Sequence, residues 1–245
     1  MDGLLRRIQP EAVIHAAAIA DVGLCQRHPD RTADINIDVP ARLAAWCARR
    51  DVPFGFTSTD LVFDGERAPY DEACPVNPIN SYARQKARAE ANVLKMYNKA
   101  AVFRLPLLIG VSGRNDTYHF CHRMFDAIYK GEVLSLFTDE YRTPVDIGSA
   151  AAGILSMLGR VEGVLHLGGR TRISRYELGL MMAEAMGRVP DMIQAVRIAD
   201  IPSIGQRAAD VALDSRRAFD LGYSPMPLNA AVKLVVGQYI IKSNG

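Results

Sequence analysis

The chain has 245 residues, 49% of them apolar and 23% charged, with a formal charge of +2, which suffices for one large domain or two small ones. That near-neutral balance, without any basic cluster, argues against a nucleic-acid partner. No apolar run reaches the roughly 18 residues of a membrane span.

Cys25, Cys47, Cys74 and Cys121 lie far apart with no CxxC pair, so neither a zinc knuckle nor a disulfide framework is expected, and a reducing cytoplasm fits. The start MDGLLRRIQPE lacks the apolar core of a signal peptide. In chain order, AVIHAAA (12–18) reads as a buried strand, VPARLAAWCARR (39–50) as a helix and PFGFTST (53–59) as a second strand. SYARQKARAEANVLKM (81–96) reads as a helix, AAVFRLPLL (100–108) as a strand, the stretch around 146–159 as a helix and GVLHLGG (163–169) as a fourth strand. SRYE (174–177) is a capping box that opens the helix ELGLMMAEAMG. Pro190, Pro202, Pro225 and Pro227 punctuate an irregular region before the apolar helix NAAVKLVVGQYIIK.

Strands apolar on both faces that alternate with helices indicate a parallel sheet covered on both sides. The expected fold is therefore α/β, a doubly wound, Rossmann-like sheet with a smaller C-terminal substrate lobe. Residues 1–110 and 143–170 would form the sheet core, which the family resemblance of the blocks quoted below implies to be a partial dinucleotide-binding domain, and 111–142 and 171–245 the lobe.

Candidate chemistry gathers at one strand end. PFGFTST finishes in Ser58 and Thr59, with Asp60 next, and Tyr82 begins the following helix four residues before Lys86. Ligands of open α/β sheets bind beyond the carboxyl ends of the strands, so Thr59 and Tyr82 can converge on one small carbonyl. Positions i and i+4 share a helix face, and an ammonium near a phenol lowers its pKa, which suits a general acid for ketone reduction. The spacing alone is weak: nine tyrosines and six lysines give about 0.2 such pairs by chance. His119, Cys121, His122 and Asp126 lack a fourth ligand of matching context, so no metal is expected. His15 and His166 sit inside apolar strands and read as core or rim residues.

The blocks TSTDLVFDG and YDEACPVNPINSYARQKARAE resemble the central part of extended short-chain dehydrogenase/reductases, in the branch of dTDP-4-dehydrorhamnose reductases and related sugar-nucleotide reductases. PEAVIHAAA, DINIDVPARLA, VFRLPLLIG, RTPVDIGSAAAGI, GVLHLGG, SRYELGLMMAEAMG and QRAADVALDSRRAFDLGY continue the resemblance in the same order. The resemblance implies reduction of a keto group on a nucleotide-activated sugar with NADP or NAD as cofactor. It makes Thr59 the hydroxyl that orients the carbonyl, Tyr82 the proton donor, and Lys86 the residue that tunes it and holds the nicotinamide ribose. Ala16, Ala17 and Ala18 would line the cofactor through their backbones, with Leu105 and Pro106 beside the nicotinamide. Asp60, Phe63 and Arg142 would serve the substrate. Asn36 would support a proton-relay water or simply bond to backbone.

The resemblance departs at the start, where no GxxGxxG-like turn precedes AVIHAAA. The expectation is that this chain either binds dinucleotide weakly or meets another chain, a second copy or a different partner, along residues 12–18. The family also contains the regulatory beta subunit of methionine adenosyltransferase, so a non-catalytic subunit of the same fold stands as the alternative, with a nucleotide-sugar epimerase as the nearest enzymatic one.

Overall fold

The computed structural model describes residues 2–111, 120–201 and 207–243; His119 and Pro202 lie outside them. Helix α1 (Asp2–Ile8) leads into strand β1 (Val13–His15), followed by the short helices α2 (Val22–Arg27) and α3 (Pro29–Ala33). A π-turn over Asp34–Asp38 runs straight into α4 (Val39–Ala48). Then come β2 (Phe54–Thr59), α5 (Ser81–Met96), β3 (Ala101–Leu105) and β4 (Leu108–Ile109). Further on lie α6 (Phe120–Lys130), β5 (Leu134–Phe137), β6 (Tyr141–Arg142), β7 (Val145–Asp146), α7 (Ile147–Met157) and β8 (Gly163–His166). The chain continues through β9 (Ile173–Ser174), α8 (Arg175–Ala185), β10 (Ile193–Val196), α9 (Arg216–Asp220) and α10 (Leu228–Ser243).

The main sheet has the order β1-β2-β3-β8, all parallel. Alternation along β3 shows why it is covered on both sides. Val102 packs with Phe54, Phe56, Ala89 and Val93 under α4 and α5, whereas Ala101, Phe103 and Leu105 pack with Ile154 and Met157 of α7. A strand buried on both faces needs no polar alternation, and this is how the parallel class expresses itself in sequence.

Three small two-stranded pairings, β5 with β10, β4 with β7 and β6 with β9, are built outside that sheet. Their core is a third apolar cluster, with Met124, Phe125 and Ile128 of α6, Leu178 and Met182 of α8, and Val232 and Val235 of α10. Ser174 caps α8 by accepting from the Glu177 amide, and the Glu177 carboxylate accepts from the Ser174 amide in return. Two otherwise orphaned amides are thereby satisfied. Division into a dinucleotide-type core and a C-terminal lobe, with the boundaries given above, is the reading we propose for these layers.

One strand differs from the sequence expectation. Only Val13–His15 of the run 12–18 pairs, and Ala16, Ala17 and Ala18 are exposed. Among the described residues β1 has a single strand neighbour, β2. A strand hydrogen-bonded along one side is held for a shorter length than one inserted between two neighbours, so the apolar run overestimates it.

Candidate active site

The carboxyl ends of β1, β2 and β3 form one rim. Thr59 and Leu105 are register partners at the last rung of the β2–β3 ladder, and Pro106 continues from Leu105 as a buried residue. Ala16–Ala18 leave the end of β1 on the same side of the sheet. Thr59 Oγ1 donates to Asp60 Oδ1 at 3.1 Å and accepts from the Leu61 amide at 3.2 Å. Asp60 opens a tight turn over Asp60–Val62 and is itself buried.

Tyr82 reaches this rim because Asn80 fixes where α5 begins. The Asn80 side chain accepts from the Ala83 amide at 2.9 Å, an N-cap that places Tyr82 in the first turn. Its ring is 9% exposed. Burial raises the Tyr82 phenol well above its ordinary pKa, and the nearby Asp60 carboxylate and Cys25 add to the effect. This is the reverse of the direction expected from the Tyr82/Lys86 spacing. The reason is where the ammonium goes: Lys86 Nζ donates to the Thr57 carbonyl at 2.6 Å and lies 3.9 Å from the centroid of the Phe56 ring. Burial brings the Lys86 pKa down to about 8, with Glu90 pulling the other way.

Asn36 sits in the π-turn, a backbone irregularity that recurs at functional sites. Its Oδ1 accepts from the Ile19 amide at 2.8 Å, while Nδ2 donates to the Ile19 carbonyl at 3.0 Å and to Gln85 Oε1 at 2.8 Å. Gln85 Nε2 in turn donates to Thr32 Oγ1 at 2.8 Å and the Pro29 carbonyl at 3.0 Å. The Asn36 amide is thus engaged by backbone and Gln85, and it ties the loop after β1 to the helix that carries Tyr82.

The substrate-side residues have different surroundings. Arg142 is buried, with Nε 3.5 Å from Asp60 Oδ2 and Nη2 3.2 Å from Glu140 Oε1. Glu140 also receives Arg175 at 2.9 Å and Arg207 at 2.6 Å. Burial would raise the Glu140 carboxyl, but Arg175, Arg142 and Arg207 together hold it below the usual range. For Asp60, burial outweighs Arg142 and Arg175, and its carboxyl is raised. Two acids and three arginines leave one excess positive charge beside Asp60 and Thr59. Phe63 is fully buried, stacked on Tyr70 at 4.1 Å between centroids and edge-on to His166 at 5.8 Å. It supports the rim from beneath and does not line an opening.

Sequence reasoning passed over Gln85, Glu90, Glu140, Arg175 and Arg207. Glu90 carried a signal, since it stands four residues after Lys86 as Lys86 stands after Tyr82. Gln85, Arg175 and Arg207 carried none, because their partners are 35 or more residues away in the chain. Glu140 meets Arg142 two residues on, but it shows its cluster only once Arg175 and Arg207 are folded against it. Among the described residues no group of three or more His, Cys, Asp or Glu is placed to hold a metal ion, and no helix is long and apolar enough to cross a membrane.

Residues of small, apolar and cationic character meet at this rim. Ala16–Ala18 are small and exposed, Leu105 and Pro106 are buried apolar residues, and a buried ammonium stands one helical turn beyond the phenol. Comparison with known proteins follows the same line. A family profile described as RmlD substrate binding domain matches residues 1–240. A probable low-salt glycan biosynthesis reductase of Haloferax volcanii is 31% identical over 214 residues, covering 86% of this chain and 71% of that protein. The methionine adenosyltransferase 2 subunit beta of Bos taurus is 27% identical over 242 residues, covering 95% of this chain and 72% of that one. Among solved structures, a dTDP-4-dehydrorhamnose reductase from Bacillus anthracis in complex with NADP superposes with a TM-score of 0.87 at 22% identity, covering 96% of this chain and 83% of that chain.

Proposed function

We propose, for a chain that belongs to the RmlD substrate binding domain family, that it reduces a keto group on a nucleotide-activated sugar. Its relatives place it among NAD(P)-dependent oxidoreductases. The observation that carries the finer reading is the placement of Thr59, Tyr82 and Lys86: a hydroxyl at the end of β2, a phenol in the first turn of α5, and an ammonium one turn later. NADPH or NADH, when bound, supplies the hydride. Thr59 Oγ1 then orients the carbonyl oxygen, and the Tyr82 hydroxyl gives it a proton. Lys86 supports the phenolate that remains and offers donors to a ribose hydroxyl. Ala16, Ala17, Ala18, Leu105 and Pro106 would line the cofactor. Asp60 and Arg142 would stand on the substrate side, where the excess positive charge of the arginine cluster favours an anionic substrate.

Incubation with NADPH or NADH and dTDP-4-dehydrorhamnose is expected to consume cofactor in a one-to-one ratio with reduced sugar. Cofactor regenerated with epimerised product would identify an epimerase instead. Kinship with the methionine adenosyltransferase beta subunit favours a second reading, a non-catalytic partner subunit. Tight binding to a partner protein, with no cofactor consumed, would select that reading.

The proposal extends to a homo-oligomer or partner chain along residues 12–18. Its support is the open side of β1, where Ile14 is 38% exposed and backbone groups stand ready to pair. Light scattering is expected to show a species larger than 26.9 kDa; a monomer at micromolar concentration would remove this part.

A further inference from the structure

The segment between β1 and α4 has little apolar hold on the rest of the chain. Between residues 16 and 35 only Cys25 and Thr32 are buried. Ala16, Ala17 and Ala18 open this segment, and α2 and α3 follow them. A stretch with so few buried apolar contacts takes its position from the hydrogen bonds that tie it down. Those bonds converge on one side chain of α5.

Gln85 is buried and stands between Tyr82 and Lys86 on that helix. Its Oε1 accepts from Asn36 Nδ2 at 2.8 Å, and its Nε2 donates to Thr32 Oγ1 at 2.8 Å and to the Pro29 carbonyl at 3.0 Å. Asn36 carries the link onward, since both ends of its amide hold the backbone of Ile19, at 2.8 and 3.0 Å. Cys25 Sγ donates to the same Ile19 carbonyl at 3.3 Å. One glutamine thus grips α3 directly and the loop after β1 through Asn36. Helix α5 needs none of these bonds for its own place. Asn80 caps it, Ala89 and Val93 pack with Phe54 and Phe56, and Lys86 Nζ reaches the Thr57 carbonyl.

We propose that Gln85 is a positioning residue for the cofactor: it fixes the loop Ala16–Ala18 against Tyr82 and Lys86, so that the gap a nicotinamide ribose enters is set before the ribose arrives. The proposal deepens the reductase reading and rests on it. Ala18 is the residue before Ile19, and Tyr82 lies one helical turn before Gln85, so the clamp adjoins both walls of that gap. A loop held in its bound position spares the ligand the cost of ordering it. Without the Gln85 amide, Tyr82 and Lys86 stay where the core holds α5, while the loop is released. The cofactor then has to order the loop on binding, which weakens affinity and leaves the rate at saturation alone. A role in folding alone would act the other way, with fewer competent molecules, a lower apparent kcat and an unchanged KM.

Gln85→Met keeps the length of the side chain and removes both polar ends of its amide. In the full chain without cofactor, hydrogen exchange at the Ile19 amide, followed by NMR, is expected to quicken about tenfold, with the amides of β2 unchanged. The Kd for NADPH or NADH, whichever binds the wild type more tightly, is expected to rise about five- to tenfold, the equivalent of roughly one net buried hydrogen bond. KM for that cofactor should rise with it, while kcat at saturation stays within about twofold. Thr32→Val, isosteric and outside α5, cuts one of the same bonds and should shift Kd in the same direction by about two- to threefold. Unchanged Ile19 exchange or unchanged Kd in folded Gln85→Met would overturn the proposal, and so would a lower kcat at constant KM. If Gln85→Met does not fold, an unchanged Kd in Thr32→Val overturns it instead. A wild type that binds neither cofactor overturns it as well. Failure of the reductase reading alone would appear separately, as these shifts in binding with no cofactor consumed.

Discussion

Tyr82→Phe is expected to lower turnover of NADPH with dTDP-4-dehydrorhamnose by roughly 10²–10⁴-fold, the usual share of a positioned general acid, with little change in cofactor affinity. The substitution removes one oxygen from a ring that is 9% exposed, so packing around α5 is preserved and the loss reads the proton. The raised pKa of Tyr82 bears on the size of the effect. A phenol pushed up by burial and by Asp60 is fully protonated at neutral pH, so every molecule carries the proton to be given. The cost lies in the phenolate left behind, whose charge is buried beside a carboxyl group. Lys86, one turn away, is the cation available to offset it. Thr59→Ala should be milder, because Thr59 orients the oxygen but supplies no proton. Steady-state rates at saturating cofactor separate these outcomes, and a Tyr82→Phe rate within threefold of wild type would remove Tyr82 from the role.

What could be read from the sequence follows from how local each interaction is. β2, β3, β8 and α5 were legible because their patterns are complete within a short window: α5 spans Ser81–Met96, the bounds its periodicity indicates. The Ser174/Glu177 capping box was legible for the same reason. β1 was overestimated because an apolar run does not reveal how many neighbours a strand has. The short pairs β5 with β10 and β6 with β9 were missed, since two-residue and four-residue strands lie below any periodicity.

The site divides in the same way. Tyr82 and Lys86 are four apart in one helix, so spacing brings them onto one face. The direction of the Tyr82 pKa was misjudged because the destination of Lys86 Nζ depends on Thr57 and Phe56, 29 and 30 residues earlier in the chain. Arg142 illustrates the remaining limit. The resemblance gave it a place on the substrate side, and in the structure Asp60 and Glu140 stand beside its guanidinium. Glu140 lies two residues away, but nothing local to residue 142 announces Asp60.

Acid should weaken this fold well before its carboxylates titrate. His166 is fully buried and His15 nearly so. Burial brings each imidazole down to about 4 from an ordinary 6.5, with Arg104 contributing at His166 and Lys86 at His15. The Asp214 carbonyl, the Tyr70 backbone and the Glu90 carboxylate pull the other way, and the Glu72 carboxylate accepts from the His166 amide. Between about 4 and 6.5 the unfolded chain binds protons that the folded chain refuses, so stability rises with pH across that window. It is fully present above 6.5 and lost as pH falls toward 4. Each histidine then accounts for roughly 2 kcal/mol by pH 5, against a typical total of about 5–15 kcal/mol. Carboxylates held below their usual range, such as Glu140, lose their contribution mainly below about pH 5. Asp60, which burial raises, acts in the opposite sense, so the difference between wild type and each histidine variant from 7 to 5 isolates that histidine. Urea unfolding midpoints are expected to fall steeply over that interval in the wild type, and less steeply in His166→Gln and in His15→Gln. Equal slopes in all three proteins would mean that neither imidazole is held neutral in the folded chain.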